Sequence, residues 1–201
     1  VIPKLYKGFP IIIAGIGPSL TPDVIEIMRK YRDTHVILGI NDAYKIIDFM
    51  DEHYACDARW WKVHGEIINK KYPDLRLWCH DEEGEKYGAI KVTGKNGSGL
   101  STDPTYIHTG LNSGFQALNL AYHWGCCKII LVGYNMGGLN GKNHFFEGRE
   151  KTLSVSSPYP QFAEQFGRIQ PDIKDIVVNC TRRTQLKAFR IGNLEEECST
   201  Y

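Results

Sequence analysis

An unbroken apolar run, Ile11-Ile12-Ile13-Ala14, leads directly into Gly15-Ile16-Gly17-Pro18 and then into Thr21-Pro22-Asp23. A β-branched run without polar alternation reads as a strand covered on both faces, which is the habit of parallel sheets. Thr21, Pro22 and Asp23 supply an N-cap, a proline at the first helical position and an acidic first turn. Val24, Ile27 and Met28 then share one face of a helix predicted to reach about Arg32. The chain therefore opens with strand, glycine turn and helix, and a parallel strand needs a crossover of this kind.

The same alternation recurs. Apolar runs predict strands at 35–39, 53–56, 75–79, 128–132 and 175–179, and helical spacing predicts helices at 58–71, 113–124 and 161–167, with a short helical segment after Asn41 that reaches Phe49. Alternating strands and helices imply an α/β fold, a Rossmann-like three-layer sandwich with a mostly parallel sheet. The expected organisation is one nucleotide-binding domain over residues 1–201. It carries a surface excursion at about 81–106, where Gly, Lys, Ser, Glu and Asn replace the periodic pattern and only an edge strand near Ala89 to Val92 is suggested. A loop or lid is expected at about 134–160, and the tail beyond Glu195 is expected to fray.

Composition removes several classes. The formal net charge of +1 gives no general attraction to nucleic acid or membrane, so a nucleic-acid partner is not indicated. No stretch reaches the roughly 18 apolar residues of a membrane helix. Six cysteines without a Cys-x-x-Cys pair, most of them beside apolar runs, look like reduced, packed thiols. The first residues lack the basic and apolar regions of a signal peptide, so the expectation is cytoplasmic. A homo-oligomer is compatible with the sequence.

Residues able to carry chemistry gather where strands end. Gly15, Gly17, Pro18 and Ser19 lie between a buried strand and a capped helix, either as a phosphate cradle or as a tight turn that packs the helix. Asn41 follows the second strand, placed to contact a ligand or to cap a turn, and Asp57 follows the third, as a base, a sugar contact or a helix N-cap. Arg59, Trp60 and Trp61 open the next helix, where a guanidinium can pair with phosphate and an indole can stack on a base or fill the core. Asn112, Ser113 and Gly114 repeat the small, polar helix start. Beyond the 128–132 strand come Asn135 and the loop histidine His144, whose ordinary pKa suits a general base. No histidine pair has helical metal spacing and no metal is expected.

Three separated motifs, Ile-Ile-Ala-Gly-Ile-Gly-Pro-Ser-Leu at 12–20, Asn41, and Asn-Ser-Gly-Phe-Gln-Ala-Leu-Asn-Leu-Ala at 112–121 followed by Lys-Ile-Ile-Leu-Val-Gly-Tyr-Asn-Met at 128–136, resemble the bacterial sialyltransferases of glycosyltransferase family 42. They are also similar to a related group of bacterial and phage proteins and to archaeal hydroxymethylpterin pyrophosphokinases. The resemblance spans roughly residues 9–190. It implies a nucleotide-activated sugar donor held by Gly15, Gly17, Pro18, Ser19, Asn41, Asn112, Ser113 and Gly114, with Asn135 beside them and His144 as candidate base. Ile16 stands where those sialyltransferases carry Asn, and Asn135 where many relatives carry Asp.

Transfer of a sugar to an acceptor hydroxyl is the implied reaction, with His144 or Asp57 as catalytic base and no cofactor. No metal is required for that reaction, with a Mg²⁺ site at Asp42 and Asp57 left open. The alternatives are Mg²⁺-dependent diphosphate transfer from ATP and a nucleotide-binding module without catalysis.

Overall fold

The structure is a computed structural model, and it describes residues 1–138, 144–145 and 157–201. Its sheet grows outward from the apolar run at 11–14. Strand β1 (Pro10–Ala14) is flanked by β2 (Val36–Ile40) on one side and β8 (Lys128–Val132) on the other. Beyond β2 lie β3 (Glu52–Ala55), β4 (Arg76–Cys79) and β5 (Ile90–Lys91). Beyond β8 lie β9 (Val177–Asn179) and β10 (Arg190–Ile191), and every pairing is parallel.

The strand order 10-9-8-1-2-3-4-5 reverses direction at the β1–β8 boundary. Side chains alternate across a strand, and β1 shows the result: Ile11 and Ile13 enter one core, Ile12 and Ala14 the other, all fully buried. Ile129 and Leu131 join the first core, Ile130 and Val132 the second.

Helices α4 (Ser113–His123), α5 (Tyr159–Gly167) and α6 (Pro171–Lys174) close the first core with Phe115, Leu118, Phe166 and Ile173. Helices α1 (Pro22–Lys30) and α7 (Leu194–Ser199) close the second with Val24, Met28, Leu194 and Cys198. Helix α2 (Ala58–Lys71) buries Trp60, Trp61 and Ile68 in a third cluster. The architecture is the expected Rossmann-like three-layer α/β sandwich.

Three expectations need correction. The tail does not fray: Asn193 caps α7 by accepting from the Glu195 and Glu196 amides at 3.0 and 3.3 Å. Cys198 is fully buried, and Glu197 pairs with Arg190 at 2.5 Å and with Lys128 at 2.8 Å, which hold its carboxyl down to about 2, Arg190 most of all. The tail expected to fray is an anchored helix.

The excursion is likewise more than surface. Besides β5 it holds a turn of helix, α3 (Glu82–Glu85), and a two-stranded parallel ribbon of β6 (Gly94–Lys95) and β7 (Ile107–His108). Fully buried Asn119 on α4 pins it, accepting from the Ser101 and His108 amides at 2.9 Å each and donating to Ser101 O at 3.0 Å. Gln170 repeats the device, accepting from Leu100 N at 3.1 Å and donating to Leu100 O at 2.9 Å. The helical segment after Asn41 is also shorter than expected, a 3₁₀ turn over Asn41–Lys45 that does not extend to Phe49.

Much of the expected 134–160 lid lies outside the described residues. Among the described residues no helix is long and apolar enough to cross a membrane.

Candidate functional site

Where the strand order of an open parallel sheet reverses, neighbouring crossovers depart to opposite faces and leave a crevice at the carboxyl ends of the strands. A cavity of about 320 Å³ lies there, within the range of small-molecule pockets. Of the residues singled out in the sequence, Gly15, Gly17, Asn41, Asp57, Arg59, Trp60, Asn112, Ser113, Gly114, Asn135 and His144 line it, and Pro18, Ser19 and Trp61 do not.

The glycine turn makes the contacts of a tight packing turn, one of the two readings of its sequence. Gly15 N–H donates to Val132 O at 2.8 Å and Gly17 N–H to Gly133 O at 2.9 Å. Ser19 turns its hydroxyl away from the cavity to Asn135 Oδ1 at 2.7 Å, and its amide reaches the same oxygen at 3.2 Å. Asn135 in turn donates to Arg182 O at 3.1 Å. A Cβ on Gly17 would stand within 3.0 Å of both Asn135 Oδ1 and Gly133 O. These glycines let the β1 and β8 turns touch, and the Gly15, Gly17 and Ser19 amides are engaged in that contact. Asn135, nearly fully buried, is part of the same clasp.

The turn does position its neighbour. Ile16 O accepts from Phe145 N at 3.1 Å, which brings half-buried His144 to the cavity wall.

On the facing side, Asn112 caps α4 by accepting from Phe115 N at 2.8 Å while donating to Gly110 O at 2.9 Å. Ser113 and Gly114 form the first helical turn, whose amides have no acceptor within the helix. Ser113 Oγ donates to Cys56 Sγ at 3.0 Å and lies 3.4 Å from Asn41 Oδ1, linking α4 to the ends of β2 and β3. Burial pushes the Cys56 thiol up to about 11, so it stays protonated near neutrality. Tyr134 donates its hydroxyl to Gly114 O at 3.2 Å and is likewise driven upward by burial.

Asp57 is the N-cap of α2, accepting from Arg59 N at 2.8 Å, and it is also paired with the Arg59 guanidinium at 2.6 Å. Asp42 does not line the cavity. It is fully buried, 3.3 Å from both Trp60 Nε1 and His64 Nε2. Among the described residues no group of three or more His, Cys, Asp or Glu is arranged to hold a metal ion.

His53, stacked on Trp60 with ring centroids 5.1 Å apart, donates from Nε2 to Asn41 O at 2.8 Å. Burial lowers its pKa to about 4, so it is neutral.

Backbone strain also converges here. Among the described residues, left-handed non-glycine conformations occur at Asn41 (φ 49°), Leu111 (φ 67°), Met136 (φ 50°) and Arg183 (φ 53°), and the first three line the cavity. Such residues cost on the order of 1–3 kcal/mol each and cluster at ligand sites. Leu111, Met136 and Cys56 were not singled out from the sequence as site residues. Leu111 alone carried a hint, as an apolar residue lodged between Gly110 and the α4 cap.

Fold and cavity together define a Rossmann-like α/β protein with a ligand-sized site at its topological switch point. The sequence matches no protein-family model and no curated protein. Among solved structures, the chain is similar to the MAf glycosyltransferase from Magnetospirillum magneticum AMB-1, with a TM-score of 0.68 and 13% identity over 94% of this chain. It spans about a third of that protein's length, 34%. A short chain dehydrogenase from Mycobacterium smegmatis aligns over 98% of this chain and 85% of its own at a TM-score of 0.24 and 12% identity, too weak a likeness to carry any argument.

Proposed function

We propose that this chain is a glycosyltransferase that binds a nucleotide-activated sugar in the switch-point cavity and transfers the sugar to an acceptor hydroxyl. One observation carries the reading: the ends of β1, β2, β3 and β8 and the first turn of α4 meet on a single cavity of about 320 Å³ that also holds a histidine. The fold shared with a protein described as a glycosyltransferase supports it, as do the motifs at 12–20, 41 and 112–136.

In this reaction the acceptor oxygen attacks the anomeric carbon and the bond from that carbon to the phosphate oxygen breaks. The electron pair leaves with the nucleotide, and the acceptor proton passes to the imidazole of His144. The Ser113 and Gly114 amides at the start of α4 favour the growing negative charge on the departing phosphate. Asn41 and Ser113, already within reach of each other, are placed to meet sugar or ribose hydroxyls.

Diphosphate transfer from ATP would require carboxylates around Mg²⁺. Asp42 faces Trp60 and His64 and Asp57 is held by Arg59, so the arrangement favours sugar transfer.

The test is a thermal-shift screen against CMP, UMP, UDP, GDP and ATP, each with and without Mg²⁺, followed by release of nucleotide from the matching sugar donor. Stabilisation by one nucleotide and donor turnover without Mg²⁺ are expected. Stabilisation by ATP only with Mg²⁺ would favour the diphosphate reaction, binding without any turnover would leave a binding module, and no shift with any nucleotide would refute the reading.

A further inference from the structure

Asp57 is the one Asp or Glu, and Arg59 the one Lys or Arg, among the described residues that line the cavity. They are bound to each other: Arg59 Nη2 donates to Asp57 Oδ2 at 2.6 Å, and Nε lies 3.1 and 3.2 Å from the two carboxylate oxygens. Their charges cancel. A nucleotide phosphate brings one or two negative charges into this lining, and the side-chain cation nearest to hand is already balanced.

A guanidinium, however, carries five N–H donors in a planar fork. Asp57 engages the Nε donor and one on Nη2, which leaves the two on Nη1 and the second on Nη2 for another acceptor. The Arg59 side chain is 55% exposed at the rim, so these donors need not be stripped of a buried partner before a ligand arrives. On the glycine turn, by contrast, the amides of Gly15, Gly17 and Ser19 are already engaged by Val132, Gly133 and Asn135.

We infer that Arg59 is the residue that grips the anionic group of the ligand, with Asp57 as a positioning residue that fixes the guanidinium. The phosphate then lies on the β3–α2 side of the cavity rather than on the β1–α1 turn. This inference rests on the nucleotide-binding reading above and assigns its anion contact. Arginine suits the role because its fork meets two phosphate oxygens at once, which a lysine ammonium cannot do. It also gives Asp57 a task that needs no proton transfer: as N-cap it fixes the start of α2, and as an ion-pair partner it fixes the direction in which Arg59 points.

Isothermal titration of the intact chain with CMP, UDP and inorganic pyrophosphate, and with cytidine and uridine as phosphate-free controls, tests the assignment. Arg59→Gln is expected to weaken the phosphate-bearing probes by about tenfold to a hundredfold, while nucleoside binding and the ligand-free melting midpoint stay put. Arg59→Lys, which keeps the charge and loses the fork, falls between. Asp57→Asn retains an N-cap and is expected to change pyrophosphate affinity in the wild-type background but not in the Arg59→Gln background. Equal binding of phosphate probes by wild type and Arg59→Gln would overturn the inference while leaving the nucleotide reading intact. An equal shift from Asp57→Asn in both backgrounds would overturn the positioning role. Failure of the wild type to bind any probe would sink both readings together.

Discussion

Replacing Gly17 with alanine puts a methyl group where the two central turns of the sheet meet. The new carbon would stand within 3.0 Å of Asn135 Oδ1 and of Gly133 O, and at 3.0 Å from Gly133 C. Gly133 O belongs to the backbone and cannot rotate away, so the β8 turn has to withdraw. Withdrawal loosens the Gly17 N–Gly133 O bond of 2.9 Å and the Ser19 Oγ–Asn135 bond of 2.7 Å. Each such bond contributes about 1 kcal/mol net, and forcing a methyl into a filled site costs about 1–3 kcal/mol. The sum is about 3–5 kcal/mol, which for a chain of this length corresponds to a fall in melting midpoint on the order of 10 °C.

Urea and thermal denaturation measure it, with Gly167→Ala as the control, since a Cβ there meets nothing within 4 Å. The control is expected to be neutral or slightly stabilising. A Gly17→Ala protein as stable as wild type that had lost only nucleotide affinity would refute the argument. It would mean that the glycine serves the ligand and not the junction.

Other outcomes follow from the same structure. His144→Ala is expected to lower the rate of sugar transfer by about 10²–10⁴ while leaving nucleotide affinity near wild type; an unchanged rate would remove His144 from the chemistry. Asn119→Ala deletes three hydrogen bonds to the 101–108 segment and is expected to cost about 3 kcal/mol, with faster amide exchange at Ser101 and His108; unchanged exchange would show that other contacts hold the segment. His53 has a folded pKa lowered from 6.5 to about 4, so between those values the unfolded chain binds a proton that the folded chain refuses. Its contribution is therefore whole above about pH 6.5 and is lost as the pH falls toward about 4, with about 2 kcal/mol gone by about pH 5. Urea midpoints across that range check the sign, and a His53→Asn protein showing the same decline would assign it elsewhere.

The parts of this molecule readable from sequence are those governed by neighbours along the chain. Ile11 to Ala14, the Thr21-Pro22-Asp23 cap and the 128–132 run announce themselves because strand burial and helix capping are local. The meeting of Gly15, Asn41, Asp57 and Ser113 at one cavity was also legible, since in a parallel sheet every strand ends at the same rim. What sequence could not convey is who takes each hydrogen bond. The Gly15 and Gly17 amides looked available until Val132 and Gly133 carbonyls claimed them.

Asn119 was similarly silent, because an asparagine in a helix gives no sign of a distant segment docked on it. The tail beyond Glu195 read as frayed, although Arg190 and Lys128 pair with Glu197 and Asn193 caps the helix start. Left-handed Leu111 and Met136 run against their residue types, so only a three-dimensional context can explain them.

The clasp between Gly15, Gly17 and Gly133 joins positions separated by over half the chain. Contacts so remote in sequence form late, after the intervening loop has been closed. A pocket whose walls are drawn together by that clasp has no precursor in a half-built sheet. Whatever molecule occupies it therefore recognises completion, and its binding doubles as a certificate that the whole fold has been reached.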